Sequence, residues 1–170
     1  MSIESAESDL PESEPMPASG WADPPNGWKT FVARTDYIKG DVPTTAALTQ
    51  ALLDQLWAAL GKACTTPYSS DINGDNWTPD WAGDCEDKCL AMREALAAED
   101  WPLGALRLCL CHTETGEAHC VLTAETDRGV FVLDERARGV VSWRGLPYNW
   151  VAREFPGFTL WQRLVVTSGD

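Results

Sequence analysis

Gly83-Asp84-Cys85-Glu86-Asp87-Lys88-Cys89-Leu90-Ala91-Met92 reads as a helix start with a thiol in its first turn. Asp84 suits the N-cap, and acidic residues in a first turn suit the helix dipole. Cys85, Cys89, Met92 and Leu96 fall at i, i+4, i+7 and i+11 and so share one face of a helix predicted over about Cys85 to Ala98. Cys85 then sits at the top of the buried face, where a cleft can open. Backbone N–H groups and the partial positive charge at a helix start favour a thiolate there. Downstream stand His119, in Ala118-His119-Cys120-Val121-Leu122, and Asp134, in Val132-Leu133-Asp134. The order is that of a thiol triad: Cys85 as nucleophile, His119 as general base, Asp134 as the carboxylate accepting the Nδ1 proton of His119.

After Pro102 the hydrophobic period changes from helix to strand. Strands are predicted at 105–112, 118–125, 129–134, 140–143 and 158–166, with a hairpin turn over Thr126-Asp127-Arg128-Gly129. Folding back at that turn sets His119 opposite a residue at 134–136, close enough for a cross-strand pair. Helices first and antiparallel strands after give an α+β domain, with the nucleophile-bearing helix packed on an antiparallel sheet.

Toward the N-terminus, Thr44 or Thr45 is the predicted cap of a helix running to about Gly61. Its stripe of Leu48, Leu52, Leu53, Leu56, Trp57 and Leu60 belongs in the core. Residues 1–27 are rich in Glu, Ser, Pro and Gly and are expected to form an acidic disordered or extended arm, with a catalytic domain over 28–170. The arm's acidity suits a protein partner.

The net charge is −13. Nucleic acid is therefore not an expected partner, because phosphate contacts need clustered Lys and Arg. No apolar run reaches about 18 residues, so no membrane span is predicted. The first residues show neither a basic n-region nor an apolar h-region, so no signal peptide is read. The expected location is cytoplasmic or phage-associated, and periplasmic only through another export route. Without an export signal the six cysteines are expected as thiols rather than three disulfides. Nine tryptophans point to a heavily aromatic core before a groove lined by indoles.

Asp84, Glu86 and Asp87 oppose the helix dipole, because carboxylates around a thiol raise its pKa. A divalent cation would neutralise them, and crowded hard oxygens suit Ca²⁺ better than Zn²⁺. Plain N-terminal capping explains the same residues, and on the residues alone capping is the simpler account. Asp71-Ile72-Asn73-Gly74-Asp75 looks like the opening of an EF-hand, but Ala82 stands where the twelfth-position Glu belongs, so an EF-hand is excluded. Asp75 can still orient the loop near Cys85. A zinc site drawn from Cys85, Cys89, Cys109, Cys111, His112 and Cys120 lacks any CxxC pair.

Asp75-Asn76-Trp77, the Gly83–Lys88 string, Ala105-Leu106-Arg107-Leu108, Ala118–Leu122 and Val132-Leu133-Asp134 together resemble the bacterial transglutaminase-like cysteine proteinases, the family of the LapG-type adhesin proteases. The similarity runs from about Asp75 to Trp143. It implies a papain-like, transglutaminase-type fold with Cys85, His119 and Asp134 as the triad. It also implies Ca²⁺ held near the nucleophile by Asp84, Glu86 and Asp87, which tips the balance from capping to calcium. LapG-type members carry an export signal, and none is read here.

The expected function is a cysteine peptidase or amide hydrolase working through a thioester on a protein or peptide substrate, with no organic cofactor. The Cys85 backbone N–H is the expected oxyanion donor, with Trp77 or Asn76 as the second. Two rivals remain open. One is a non-catalytic structural or binding module on the same fold, for instance in a virion. The other is an acyl transferase, which differs only in whether an amine or water meets the thioester.

Overall fold

The computed structural model describes residues 9–35, 42–70, 76–157 and 159–164. Three helices and seven strands make up the fold: β1 (Ala18–Ala22), α1 (Asn26–Arg34), α2 (Gln50–Thr65), α3 (Cys85–Ala97), β2 (Leu106–His112), β3 (Ala118–Thr126), β4 (Gly129–Asp134), β5 (Gly139–Ser142), β6 (Asn149–Arg153) and β7 (Trp161–Leu164). The strands form one antiparallel sheet in the order β1-β7-β6-β2-β3-β4-β5.

Alternation along the strands separates two apolar layers. Leu106 and Leu108 of β2, Cys120 and Leu122 of β3, and Phe131 and Leu133 of β4 pack with Leu56 and Leu60 of α2 and Cys89, Met92 and Leu96 of α3. Cys109, Cys111, Val121, Val130 and Val132 point the other way and meet Met16, Trp143, Tyr148 and Trp150. Six of the nine tryptophans are buried (Trp28, Trp77, Trp101, Trp143, Trp150, Trp161), so the aromatic content is mainly core.

Helix α3 begins where the sequence places it. The helix before it does not: α2 starts at Gln50, capped by Thr49, whose Oγ1 accepts the Leu52 N–H at 3.1 Å, and it runs past Gly61 to Thr65. Thr44 and Thr45 are not caps because the chain beside them is drawn against the sheet. Ala46 N donates to Glu125 O (3.0 Å) and Asp127 N donates to Ala46 O (2.9 Å). Gly61 has open space around it and does not terminate the helix. Trp57, expected in the core stripe, is 48% exposed. Strands β1 and β6 and helix α1 are additions to the expected elements.

Residues 9–25 lie against the domain as an extended segment, and α1 spans residue 27. Leu10 and Met16 are buried. Ser13 N donates to Arg128 O (2.8 Å), Val130 N donates to Glu14 O (3.0 Å) and Trp143 Nε1 donates to Glu14 O (2.8 Å). Gly129, at φ +101°, is where this segment crosses the hairpin, and a side chain there would strike the Ser13 and Glu14 backbone. Only four residues further on, Ala18 pairs with Leu164 of β7.

That short span dictates the shape of the sheet. Glu14 lies just outside β4 and Ala18 just outside β7, six strand spacings apart, about 29 Å in a flat sheet. Four residues reach at most about 14 Å. The sheet is therefore curled, and the N-terminal segment straps its open side. Among the described residues no helix is long and apolar enough to cross a membrane.

Candidate active site

The first turn of α3 is anchored from several sides. Asp84 Oδ1 accepts the Asp87 N–H at 3.2 Å, as an N-cap should. Asp87 Oδ1 accepts the Thr78 N–H at 2.9 Å, tying the preceding loop to the helix. Gly83 is required by this closure, because a Cβ there would collide with the Asp87 carboxylate. One turn on, Lys88 is 1% exposed. Its Nζ donates to Ala63 O (2.8 Å), Thr66 O and Thr66 Oγ1 (3.0 Å each) and Trp81 O (2.8 Å), and stands 3.5 Å from Glu135 Oε2. The last carbonyls of α2 are thereby satisfied and the place of Cys85 is fixed.

His119 and Asp134 meet as the hairpin predicts. The β3–β4 ladder ends at Leu122↔Leu133. Carried on, it sets His119 opposite Arg136, so Asp134 is met on the diagonal. The bonded atoms are His119 Nε2 and Asp134 Oδ1, 2.9 Å apart, rather than the expected Nδ1. Nδ1 is then the ring nitrogen left for the thiol. Asp134, 1% exposed, also accepts the Arg136 N–H (2.9 Å) at Oδ1 and the Tyr148 hydroxyl (2.5 Å) at Oδ2. Burial alone would raise its pKa. The His119 hydrogen bond and charge, the Tyr148 hydroxyl and the Arg136 N–H outweigh that and hold the carboxyl below its usual range.

Cys85 and His119 line one cavity of about 180 Å³, with Glu86, Leu110, Cys111, His112, Ala118, Cys120 and Val151. Within it the Cys85 thiol donates to Glu86 Oε2 at 3.3 Å. Burial first, then the neighbouring Cys120 and Glu86, push this thiol far above the ordinary range, while a hydrogen bond from the Cys120 backbone pulls the other way. The sequence anticipated the carboxylate's contribution but not the larger one from burial.

Of the three acidic residues assigned to calcium, Asp84 and Glu86 are joined by a hydrogen bond, with Asp84 Oδ1 also capping the helix. Glu86 is pushed up to about 7, first by burial and next by a hydrogen bond with Asp84. Two carboxylates held together in this way retain a proton or take a positive ion. Asp87, by contrast, is turned to the Thr78 N–H. Among the described residues no set of three or more His, Cys, Asp or Glu side chains converges as a metal site. The six cysteines are free thiols. The segment Asp71–Asp75, including Asp75, lies outside the described residues.

Trp77 is not brought into the cavity. It is 2% exposed and packs edge-on against Trp28 and Trp161, because an indole of that size gains most in the core. Asn76 is exposed beside it. Tyr148 is the residue the sequence did not reveal. It follows Pro147 outside any expected strand, and only the fold shows that its hydroxyl reaches a carboxylate 14 positions earlier.

A family model for the bacterial transglutaminase-like cysteine proteinases (BTLCP) matches residues 19–166. The chain belongs to this family. As a bacterial transglutaminase-like cysteine proteinase it is a cysteine peptidase, with a protein or peptide substrate. Its fold matches that of Legionella pneumophila LapG, at 22% identity and a TM-score of 0.55 over 65% of this chain and 68% of that one. Calcium-bound LapG from the same organism gives 22% identity and 0.59 over 73% and 74%. The EGTA-treated form gives 24% and 0.58 over 70% of each. These likenesses carry the transglutaminase-like fold. No curated protein sequence matches the chain.

Proposed function

We propose that Cys85, His119 and Asp134 are the nucleophile, base and orienting carboxylate of this peptidase. The observation that carries the reading is the 2.9 Å bond from His119 Nε2 to Asp134 Oδ1, made by a histidine that shares its cavity with Cys85. Asp134 holds the Nε2–H tautomer, which leaves the Nδ1 lone pair to take the thiol proton. The thiolate adds to the scissile carbonyl carbon, and the oxyanion forms beside the Cys85 N–H at the start of α3. Collapse of this intermediate breaks the C–N bond, with the amine leaving on the proton from His119. Water, deprotonated by His119, then hydrolyses the thioester.

Calcium fits this reading as an ion held in part by Asp84 and Glu86. When bound it would supply positive charge beside the thiolate, offsetting the repulsion that their carboxylates create. Support comes from the raised Glu86 and from the calcium-bound and EGTA-treated forms of Legionella LapG. Calorimetric titration with Ca²⁺ of the wild type and of Glu86→Gln checks this, and equal heats in both would remove Glu86 from the site.

The mechanism is tested on a peptide library cleaved by the wild-type protein. Cys85→Ala is expected to abolish cleavage, and full cleavage by that variant would overturn the assignment.

A further inference from the structure

Tyr148 touches both partners of the His119–Asp134 pair without lining the cavity that holds Cys85. Its hydroxyl donates to Asp134 Oδ2 at 2.5 Å, within the short range of bonds to an ionised acceptor. Its ring stands edge-on to His119, with centroids 6.0 Å apart and planes at 86°. The ring itself is 1% exposed and is steadied by Trp150, 5.7 Å away. Asp134 thus receives donors on both oxygens: Tyr148 at Oδ2, His119 and the Arg136 N–H at Oδ1. A carboxylate bonded on both sides cannot rotate without losing one partner.

We propose that Tyr148 is a positioning residue for the thiol peptidase, clamping Asp134 so that Oδ1 alone faces His119 Nε2 and fixing the plane of the His119 ring. This rests on the triad reading above. The clamp extends outward. Arg136 Nη1 donates to the Tyr148 hydroxyl oxygen at 3.2 Å, which polarises that hydroxyl toward Asp134. Both terminal nitrogens of Arg136 also engage Glu114, Nη1 at 3.0 Å. Glu114 lies in the β2–β3 turn and Arg136 in the β4–β5 turn, so the ion pair latches the two turns that flank His119 and Asp134. Glu114 and Arg136 are both partly exposed, whereas the Tyr148–Asp134 bond is sheltered. Salt therefore weakens the latch and not the clamp itself.

The chain has two histidines, so ring nitrogen shifts from ¹⁵N-labelled protein at pH 8 read each of them separately. The wild type is expected to show His119 as the single Nε2–H tautomer. In Tyr148→Phe, which keeps the buried ring, His119 is expected to move to a mixture of tautomers while His112 stays unchanged as an internal control. Alkylation of Cys85 by iodoacetamide is expected to slow about tenfold, well short of the roughly 10⁴-fold loss that accompanies a wholly wrong tautomer. A purely structural tyrosine would lower stability and leave the tautomer alone. An unchanged His119 tautomer in folded Tyr148→Phe overturns the proposal, whatever the alkylation rate. Should that variant fail to fold, Arg136→Gln takes its place: a smaller shift in the same direction supports the clamp, and no shift overturns it. Cleavage retained by Cys85→Ala would instead sink the triad and leave the tautomer result standing.

Discussion

The thiol of Cys85 donates to Glu86 Oε2 across 3.3 Å, a contact that favours the protonated, unreactive form of the thiol. The expected consequence is a cysteine that alkylates slowly in EGTA and faster in Ca²⁺. Glu86→Gln removes the charge, and its metal-free labelling rate is expected to rise roughly tenfold, the worth of one pKa unit. Its response to Ca²⁺ is expected to shrink. Mass-spectrometric rates of iodoacetamide labelling at Cys85 decide it, and identical rates for both proteins in EGTA would rule out Glu86 as the restraint.

Asp134→Asn tests the orienting role proposed for this carboxylate while keeping its shape. Cleavage and Cys85 alkylation are expected to fall about 10²- to 10⁴-fold, as when a base histidine loses its tautomer. The stability effect has a definite sign. The Asp134 pKa is depressed in the fold, so its contribution is full above about pH 4 and is lost as pH falls through the lower folded value. The gap between wild type and variant in urea midpoint is therefore expected to be larger at pH 7 than at pH 3. A gap that widens in acid would contradict the assigned hydrogen bonds.

Lys88 has its whole ammonium group committed to the end of α2, the Trp81 carbonyl and Glu135. Lys88→Met takes the ammonium donor from Ala63 O and Thr66 O, while the Thr66 hydroxyl still donates to Trp81 O at 2.5 Å. A loss of about 3 kcal/mol or more is expected, because an orphaned buried acceptor costs its desolvation in full. Urea unfolding gives the number, and a loss under about 0.5 kcal/mol would mean that water replaces the ammonium.

Arg93 Nη1 donates to Glu154 Oε1 at 3.2 Å, and the same oxygen accepts the Leu108 N–H at 2.8 Å. Burial pushes Glu154 up to about 7. Its contribution to stability is therefore greatest below the ordinary carboxyl range and declines as pH rises through about 7. Arg93→Leu strips the counter-charge and is expected to cost roughly 3–5 kcal/mol. The deficit against wild type is expected to grow from pH 5 to pH 8. Thermal melts at the two pH values test this, and a deficit independent of pH would mean that Glu154 stays protonated throughout.

Legibility in the sequence followed how local each cause was. Helix α3 was readable because its cap, Asp84, and its buried face, Cys89, Met92 and Leu96, lie within thirteen residues. The β3–β4 hairpin was readable from alternation and a four-residue turn, and it brought His119 and Asp134 together. Strand β1 was not, since Ala18-Ser19-Gly20-Trp21-Ala22 has no apolar alternation and becomes a strand only by pairing with β7. The α2 start was misplaced because Thr44, Thr45 and Thr49 cap equally well in isolation, and only the pairing of Ala46 with the β3–β4 turn separates them. Trp77 was expected, with Asn76, as an oxyanion donor, and only the fold shows that its ring packs on Trp28 and Trp161. Tyr148 carried no local signal at all.

The strap across the curled sheet also sets an order of assembly. Ser13 bonds to Val130, 117 residues later, and β1 has no partner until β7 has been made. During synthesis the first segment leaves the ribosome long before the strands that receive it. The helices and the β2–β5 ladder have shorter loops to close and collapse first. Docking of residues 9–22 is then the step that seals the domain. Until then the Gly129–Val130 end of β4 and the outer side of β7 stay open to pairing with other chains, so a lesion such as Gly129→Val is expected to show itself as aggregation of newly made protein more than as lost activity of the folded fraction.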